Sequence, residues 1–386
     1  MDFSFSHEQT QIGDSLRRYL VKSYALPDRM RATEARRGFD DEHWNAFADM
    51  GILALNVPEA HGGLASGDGN PVDTLVVMRE MGRGLCVEPV WMSGVVCANL
   101  IALSGNEALQ SALLPSLADG TAVFSLAALE PGGRFDFEHV TTRAERNADG
   151  YALTGKKAVV LHGGQADKLL VTARISEAGS TNTNSADNIA VFVVDRHAPG
   201  VHVLDYQTVD ELRGADIALN CVTVAAAAML VDGANGSLVV ARAVERANAA
   251  LCAEALGIVE ALTEATNEYL KTRKQFGVPI GKFQALQHRV ADMLVSVEQV
   301  RAMAYYAAAK VTVIDRDERA RAIAAARAAV AEASKFVSKN AVQLHGGMGV
   351  TDELIVSHYV KRLTMLNQTY GDYEHHLAAY AELMET

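Results

Sequence analysis

Residues Tyr269–Met293 read YLKTRKQFGVPIGKFQALQHRVADM. Just upstream, Leu256, Val259, Leu262 and Ala265 recur at the three-and-four spacing of one helix face. Gly277, Pro279 and Gly281 break that period. Phe283, Leu286, Val290, Met293, Leu294 and Val297 then resume it. The stretch predicts the end of one long helix, a corner, and the start of a second. Arg273 and Lys274 fall in the last turn before the corner, where cations suit the partial negative charge of a helix C-terminus. Two readings fit. One is a plain αα-corner with a dipole-favoured arginine. The other is an anion site, since the guanidinium fork matches a phosphate in bidentate contact.

A second motif follows: Gln343-Leu344-His345-Gly346-Gly347-Met348-Gly349, with Glu353 after it. Together with Arg273-Lys274-Gln275-Phe276-Gly277, Pro279-Ile280, Phe283-Gln284, Gln287 and Ala291-Asp292-Met293, it resembles the paired signatures of the acyl-CoA dehydrogenases. The resemblance runs over essentially the whole chain and is weakest in the middle. The more particular likeness is to the small subunit of pimeloyl-CoA dehydrogenase-type heteromeric enzymes, which pair with a different, large subunit. The family's fold is α+β: a helical N-terminal domain, a small antiparallel β-barrel middle domain and a C-terminal four-helix bundle.

Composition sets the outer bounds. A chain of 386 residues is long enough for two or three domains with large cores. Its formal charge of −12, without basic runs, argues against a nucleic-acid partner. A local Arg or Lys still suffices for a small anionic ligand. Cys86, Cys97, Cys221 and Cys252 show no CxxC spacing and lie in apolar contexts, which predicts free thiols and no metal. Met1–Met30 mixes charges of both signs and has no apolar h-region, so no signal peptide is expected. The most apolar window, Val222–Val231, is far too short to span a bilayer. The expectation is a cytoplasmic protein.

Three regions emerge. Residues 1–118 read as helices: Ser6 can cap the first, Trp44, Phe47 and Met50 line a second, and apolar helices cover 73–85, 90–104 and 107–118. Residues 119–231 change period. Short β-branched runs at 123–128, 151–154, 158–161, 168–173, 189–194, 201–204 and 217–224 predict a small antiparallel barrel or sandwich, with a polar loop from Ser176 to Asn188. Residues 232–386 return to long alanine-rich helices, at 238–272, 283–312, 316–344 and 353–367, joined by short connections as in an antiparallel bundle.

The glycines at 346, 347 and 349 admit one of two roles. They permit close approach of backbone amides to a phosphate, or they end a helix, which needs only one of them. The resemblance assigns the first: Arg273, Phe276, Ile280, Phe283, Gln343, Gly346 and Gly347 would hold the FAD of a neighbouring subunit. The other half of the flavin site departs from the family. Where relatives carry a segment like TEPGAGSD, this chain has Leu129-Glu130-Pro131-Gly132-Gly133-Arg134-Phe135-Asp136, so Leu129 and Phe135 replace hydroxyls. Where they carry one like KMWITNGG, it has Lys157-Ala158-Val159-Val160-Leu161-His162-Gly163-Gly164, so Val159 replaces the indole and Leu161 a threonine.

The family's reaction removes a proton α to a thioester carbonyl and transfers the β-hydride to the flavin, which needs one carboxylate base. By count from Gly346-Gly347 the usual base position is Tyr370, and by count back from Phe276-Gly277 the alternative position is Ala247. Asp372 and Glu374 lie nearby, whereas Glu245 faces elsewhere on its helix. No catalytic residue is assigned. Two functions follow from the resemblance, both with an acyl-CoA substrate. One is a catalytically silent partner that completes the flavin site of a homologous large subunit. The other is an active homo-oligomer, a dimer or dimer of dimers, with a relocated base. His375-His376 do not predict a metal site, because adjacent helical residues point about 100° apart.

Overall fold

The computed structural model describes residues 5–67, 69–176 and 188–385. The polar loop expected from Ser176 to Asn188 falls, from 177 to 187, outside the described residues. The chain forms two compact units from interleaved segments: Met1–Arg31, Pro71–Cys86 and Asn248–Thr386 make one, and Ala32–Asn70 and Val87–Ala247 make the other.

The first unit is helical. Helix α1 (His7–Ser23) opens with a capping box in which Ser6 and Gln9 satisfy each other's backbone amides, as Ser6 predicted. It packs on α4 (Pro71–Gly84), whose leading proline occupies the first helical position, where a missing N–H costs nothing. Helix α4 also crosses α7 (Gly236–Thr272) at close range. A Cβ on Gly82 would come 2.2 Å from the Glu254 carbonyl, and one on Gly257 would come 1.8 Å from that of Arg79. Each helix therefore supplies a glycine to the other's backbone. The crossing is braced by Glu260, which is buried and receives Arg79, Arg83 and Arg301.

Helices α8 (Gln284–Lys310) and α9 (Arg316–His345) form the long pair of this unit. Met293, Val297, Val300, Ala304 and Ala307 bury one stripe of α8, while Leu294, Val295 and Tyr306 stay exposed on it. After α10 (Ile355–Leu366), a further helix, α11 (Tyr373–Glu385), adds to the four anticipated. It starts just after Asp372, whose Oδ1 accepts from the His375 amide at 2.9 Å. No helix among the described residues is long and apolar enough to cross a membrane.

The second unit combines helices with one sheet. Helix α3 (Asp41–Asp49), which follows α2 (Leu26–Glu34) in the chain, buries Trp44, whose indole N–H donates to the Gly120 carbonyl at 2.8 Å. Residues Val90–Cys97 form a fully buried π-helix that continues as α5 (Ala98–Ala102); Asn56 and Asn99 donate to its Gly94 and Val95 carbonyls. Helix α6 spans Glu107–Ala118. The strands are β1 (Phe124–Ala127), β2 (Arg143–Asn147), β3 (Gly150–Leu161), β4 (Lys168–Ser176), β5 (Ile189–Asp195), β6 (Val201–Gln207), β7 (Arg213–Ala225) and β8 (Met229–Val231). They form one sheet in the order β6-β7-β3-β2-β4-β5-β8, with β1 also on β4. The expected antiparallel pattern holds except at β4. There β1 pairs with Lys168–Val171 and β2 with Arg174–Ser176, both parallel, one beyond the other along the same edge. Strand composition carries no direction, so the sequence could not show this. The expected runs at 151–154 and 158–161 are one strand, β3, bulged twice.

Candidate active site

The corner after α7 is a hairpin rather than a bare turn. Strands β9 (Lys274–Gln275) and β10 (Val278–Pro279) pair antiparallel, with Gln275 opposite Val278. The two residues between them, Phe276 and Gly277, have φ of +54° and +81°. A two-residue hairpin connection of the type I′ class requires positive φ at both central positions. Glycine accepts this freely, but a phenylalanine is strained there. Phe276 is nonetheless 90% exposed and meets the edge of Phe283, at 6.0 Å between centroids. The Ile280 amide closes the hairpin by donating to the Arg273 carbonyl at 2.9 Å, and the Arg273 side chain is exposed. Between Glu268 and Asp292 the chain carries no acidic residue but five Lys or Arg, a basic island on an acidic protein.

Tyr269 joins this hairpin to the glycine motif. Its ring stacks on His345 with centroids 4.3 Å apart, and its hydroxyl donates to the His345 carbonyl at 3.4 Å. His345 is buried, and burial lowers its pKa; its Nδ1 donates to the Ala341 carbonyl at 2.9 Å, which fixes the neutral tautomer. Helix α9 ends there. Gly346 has φ 62° and ψ −142°, a region essentially reserved for glycine. A Cβ on Gly346 or Gly347 would touch nothing within 4 Å, so their backbone faces open space. Gln343 is exposed on the last turn of α9. The stack thus brings together the ends of the two segments that carry Arg273, Phe276, Ile280 and Phe283 on one side and Gln343, Gly346 and Gly347 on the other. Cationic, backbone-accessible and aromatic groups together suit the phosphates and ring of a dinucleotide.

The positions in the second unit differ. Their scaffold is firm. Glu130 and Lys157 are a fully buried ion pair at 2.6 Å, and Lys157 also donates to Thr172 Oγ1 at 2.9 Å. Burial works to raise the Glu130 carboxyl, but Lys157 and hydrogen bonds from Thr141 and Thr142 outweigh it and bring the pKa down to about 2. Burial in turn lowers the Lys157 ammonium to about 8, against the pull of Glu130. Val159 sits at the second bulge of β3 with φ +51°, a true outlier for a β-branched residue, and is 48% exposed. Its amide donates to Asp216 Oδ1 at 3.1 Å. The side chains at Leu129, Phe135, Val159 and Leu161 carry no donor or acceptor. These four positions do not fit the polar edge of an isoalloxazine ring through their side chains.

Neither base position holds a carboxylate. Tyr370 is buried in the turn after α10, with φ +55°. Ala247 is fully buried on α7, and its carbonyl accepts from the Trp91 indole at 3.1 Å. Asp372 is committed as the cap of α11, and Glu374 is exposed in the first turn of that helix. His375 and His376 meet edge to face, and burial drives the His376 pKa down to about 2 with Arg327 adding to the effect. Among the described residues, no group of three or more His, Cys, Asp or Glu is placed to hold a metal ion. The sequence reading missed two participants. His345 was visible only as a letter in a motif. Arg327 was hidden in an alanine-rich helix, where Ile323, Ala324, Val330 and Ala331 at three-and-four spacing were the signal that it is buried.

Three family models match in order: the acyl-CoA dehydrogenase N-terminal domain over residues 6–121, the middle domain over 125–222 and the C-terminal domain over 234–384. Acyl-CoA dehydrogenase FadE12 of Mycobacterium tuberculosis is 31% identical over 317 residues, covering 81% of this chain and 79% of that one. Among solved structures, the butyryl-CoA dehydrogenase of Megasphaera elsdenii superposes with a TM-score of 0.89 at 25% identity over the whole of both chains. The ChsE4–ChsE5 complex of M. tuberculosis contains a chain at TM-score 0.87 and 27% identity, again over the whole of both. With these similarities beside the paired hairpin and glycine motif, the chain belongs to the acyl-CoA dehydrogenase family of FAD-dependent oxidoreductases.

Proposed function

We propose that the chain is a catalytically silent subunit of a heteromeric acyl-CoA dehydrogenase, of the kind that pairs a small subunit with a homologous active one. The observation that carries this reading is the pair of base positions: a buried phenol at Tyr370 and a buried methyl at Ala247. The usual phenol pKa is about 10, so little phenolate exists near neutral pH, and alanine offers no base at all. The nearest acid in sequence, Asp372, spends its carboxylate on a helix cap. In this reading Arg273, Phe276, Ile280, Phe283, Gln343, Gly346 and Gly347 hold the phosphates and adenosine of the partner's FAD, which supplies the hydride acceptor for α,β-desaturation of an acyl-CoA. The similarity to a chain of the two-component ChsE4–ChsE5 complex supports it. The test is dye-linked turnover of acyl-CoAs by the FAD-supplemented chain, alone and with its homologous subunit. Turnover only in the mixture supports the proposal. Robust turnover by the chain alone would replace it with an active homo-oligomer.

A further inference from the structure

The π-helix Val90–Cys97 is a rare element, of a kind found mostly at functional sites. All eight of its residues are buried. The second of them, Trp91, is 7% exposed and donates its indole N–H to the Ala247 carbonyl at 3.1 Å. The neighbouring residue of α7 makes a second tie: Arg246 Nη1 donates to Asn99 Oδ1 at 2.5 Å, on the helix α5 that continues the π-helix. Trp91 and Ala247 belong to the same compact unit, so their contact is internal to it.

Ala247 is the alternative base position. A base there must direct its carboxylate into a pocket that admits the α-carbon of an acyl thioester within reach. A residue lining an open pocket keeps accessible surface, and Ala247 keeps none. An indole lies against that residue instead, with its apolar body buried and its one polar handle bonded. Its bulk is comparable to that of a medium-length acyl tail. The π-helix has other anchors as well. Its Gly94 carbonyl accepts from Asn56 at 3.1 Å, Ser93 Oγ from the Phe124 amide at 3.2 Å and Met92 Sδ from the Leu126 amide at 3.4 Å. Trp91 is therefore not the sole hold on this helix.

We propose that Trp91 is a plug: it fills the space beside residue 247 that the acyl tail of a thioester would need, so that this chain takes no acyl-CoA of its own. The inference rests on the silent-subunit reading and extends it from a missing base to a closed substrate pocket.

The test is calorimetric titration of the full chain with octanoyl-CoA, free CoA and octanoate. The wild type should bind octanoyl-CoA no more tightly than free CoA, because the tail finds no room. Trp91→Ala opens an apolar cavity of a kind that takes up apolar ligands. It should bind octanoyl-CoA about tenfold more tightly than either free CoA or octanoate, a difference read directly in Kd. If that variant does not fold, Trp91→Leu takes its place, and the wild-type titration decides in either case. A wild type that already prefers octanoyl-CoA overturns the plug. A folded variant that gains nothing overturns it too, and so does one that binds octanoate as well as the thioester, since that marks a bare engineered cavity. Tail-dependent binding by the wild type without dye-linked turnover removes the plug and leaves the silent-subunit reading standing; binding with turnover removes both.

Discussion

The Tyr269 and His345 rings stack at 29° with 4.3 Å between centroids, and that contact joins the end of one 37-residue helix to the end of one of 30. Each ring lies within a few residues of the groups assigned to flavin phosphates. Replacing Tyr269 by leucine should therefore loosen both loops at once. In the mixed complex we expect lower flavin retention with the helical content unchanged, read by absorbance and far-UV circular dichroism after gel filtration.

Arg273 offers a sharper probe. A charge-assisted contact to phosphate contributes about 1.5–3 kcal/mol. Arg273→Ala should weaken flavin binding in the mixed complex by roughly ten- to a hundredfold. The chain alone should emerge pale, with FAD well below one per chain. Fluorescence titration of the apo-protein checks this, and tight stoichiometric binding by the isolated chain would contradict it.

Asp372→Asn separates a cap from a base. Asparagine caps a helix about as well as aspartate. The variant should keep its Tm and leave turnover of the mixed complex unchanged, whereas loss of turnover with Tm intact would identify Asp372 as a relocated base.

The Glu130–Lys157 pair sets an acid limit. Glu130 has its pKa depressed from 4.5 to about 2 in the folded protein. The unfolded state then binds more protons between those values, so this contribution is present above about 4.5 and is lost as pH falls toward 2. Lys157→Met should cost about 3–5 kcal/mol by leaving a buried carboxylate alone. It should also remove part of the acid dependence, as equilibrium denaturation across that range would show.

Exposed Leu294, Val295 and Tyr306 on α8 and Phe336 on α9 give the C-terminal helices an uncovered apolar side. The expected assembly is a dimer or a dimer of dimers, with interfaces above about 2,000 Å². Light scattering that finds a stable monomer at micromolar concentration would remove the basis for a shared flavin site.

Much of the architecture was legible because helices of this length repeat their apolar period many times. Leu256 to Ala265 and Phe283 to Val297 announced α7 and α8 closely. Short strands were located but not oriented: nothing in Phe124–Ala127 says that it runs parallel to β4. The corner hid a two-stranded ribbon because Phe276 occupies a φ that composition assigns to glycine or asparagine. The absence of a carboxylate at Tyr370 and Ala247 could be counted from sequence. The capture of Asp372 by the α11 cap could not, because it depends on where that helix starts.

The reciprocal glycines also constrain the order in which the molecule can mature. Residues 71–86 are made early, yet Gly82 meets its counterpart only when Glu254 and Gly257 have left the ribosome. The unit of Ala32–Asn70 and Val87–Ala247 has all its residues by then, while α1 and α4 still wait for α7 and the helices after it. Nascent chains of this protein thus hold apolar helix faces unpaired while the whole of Val87–Ala247 is made. Gly257→Ala, which puts a Cβ 1.8 Å from the Arg79 carbonyl, should lower the yield of folded protein in cells more than its stability loss after purification would imply.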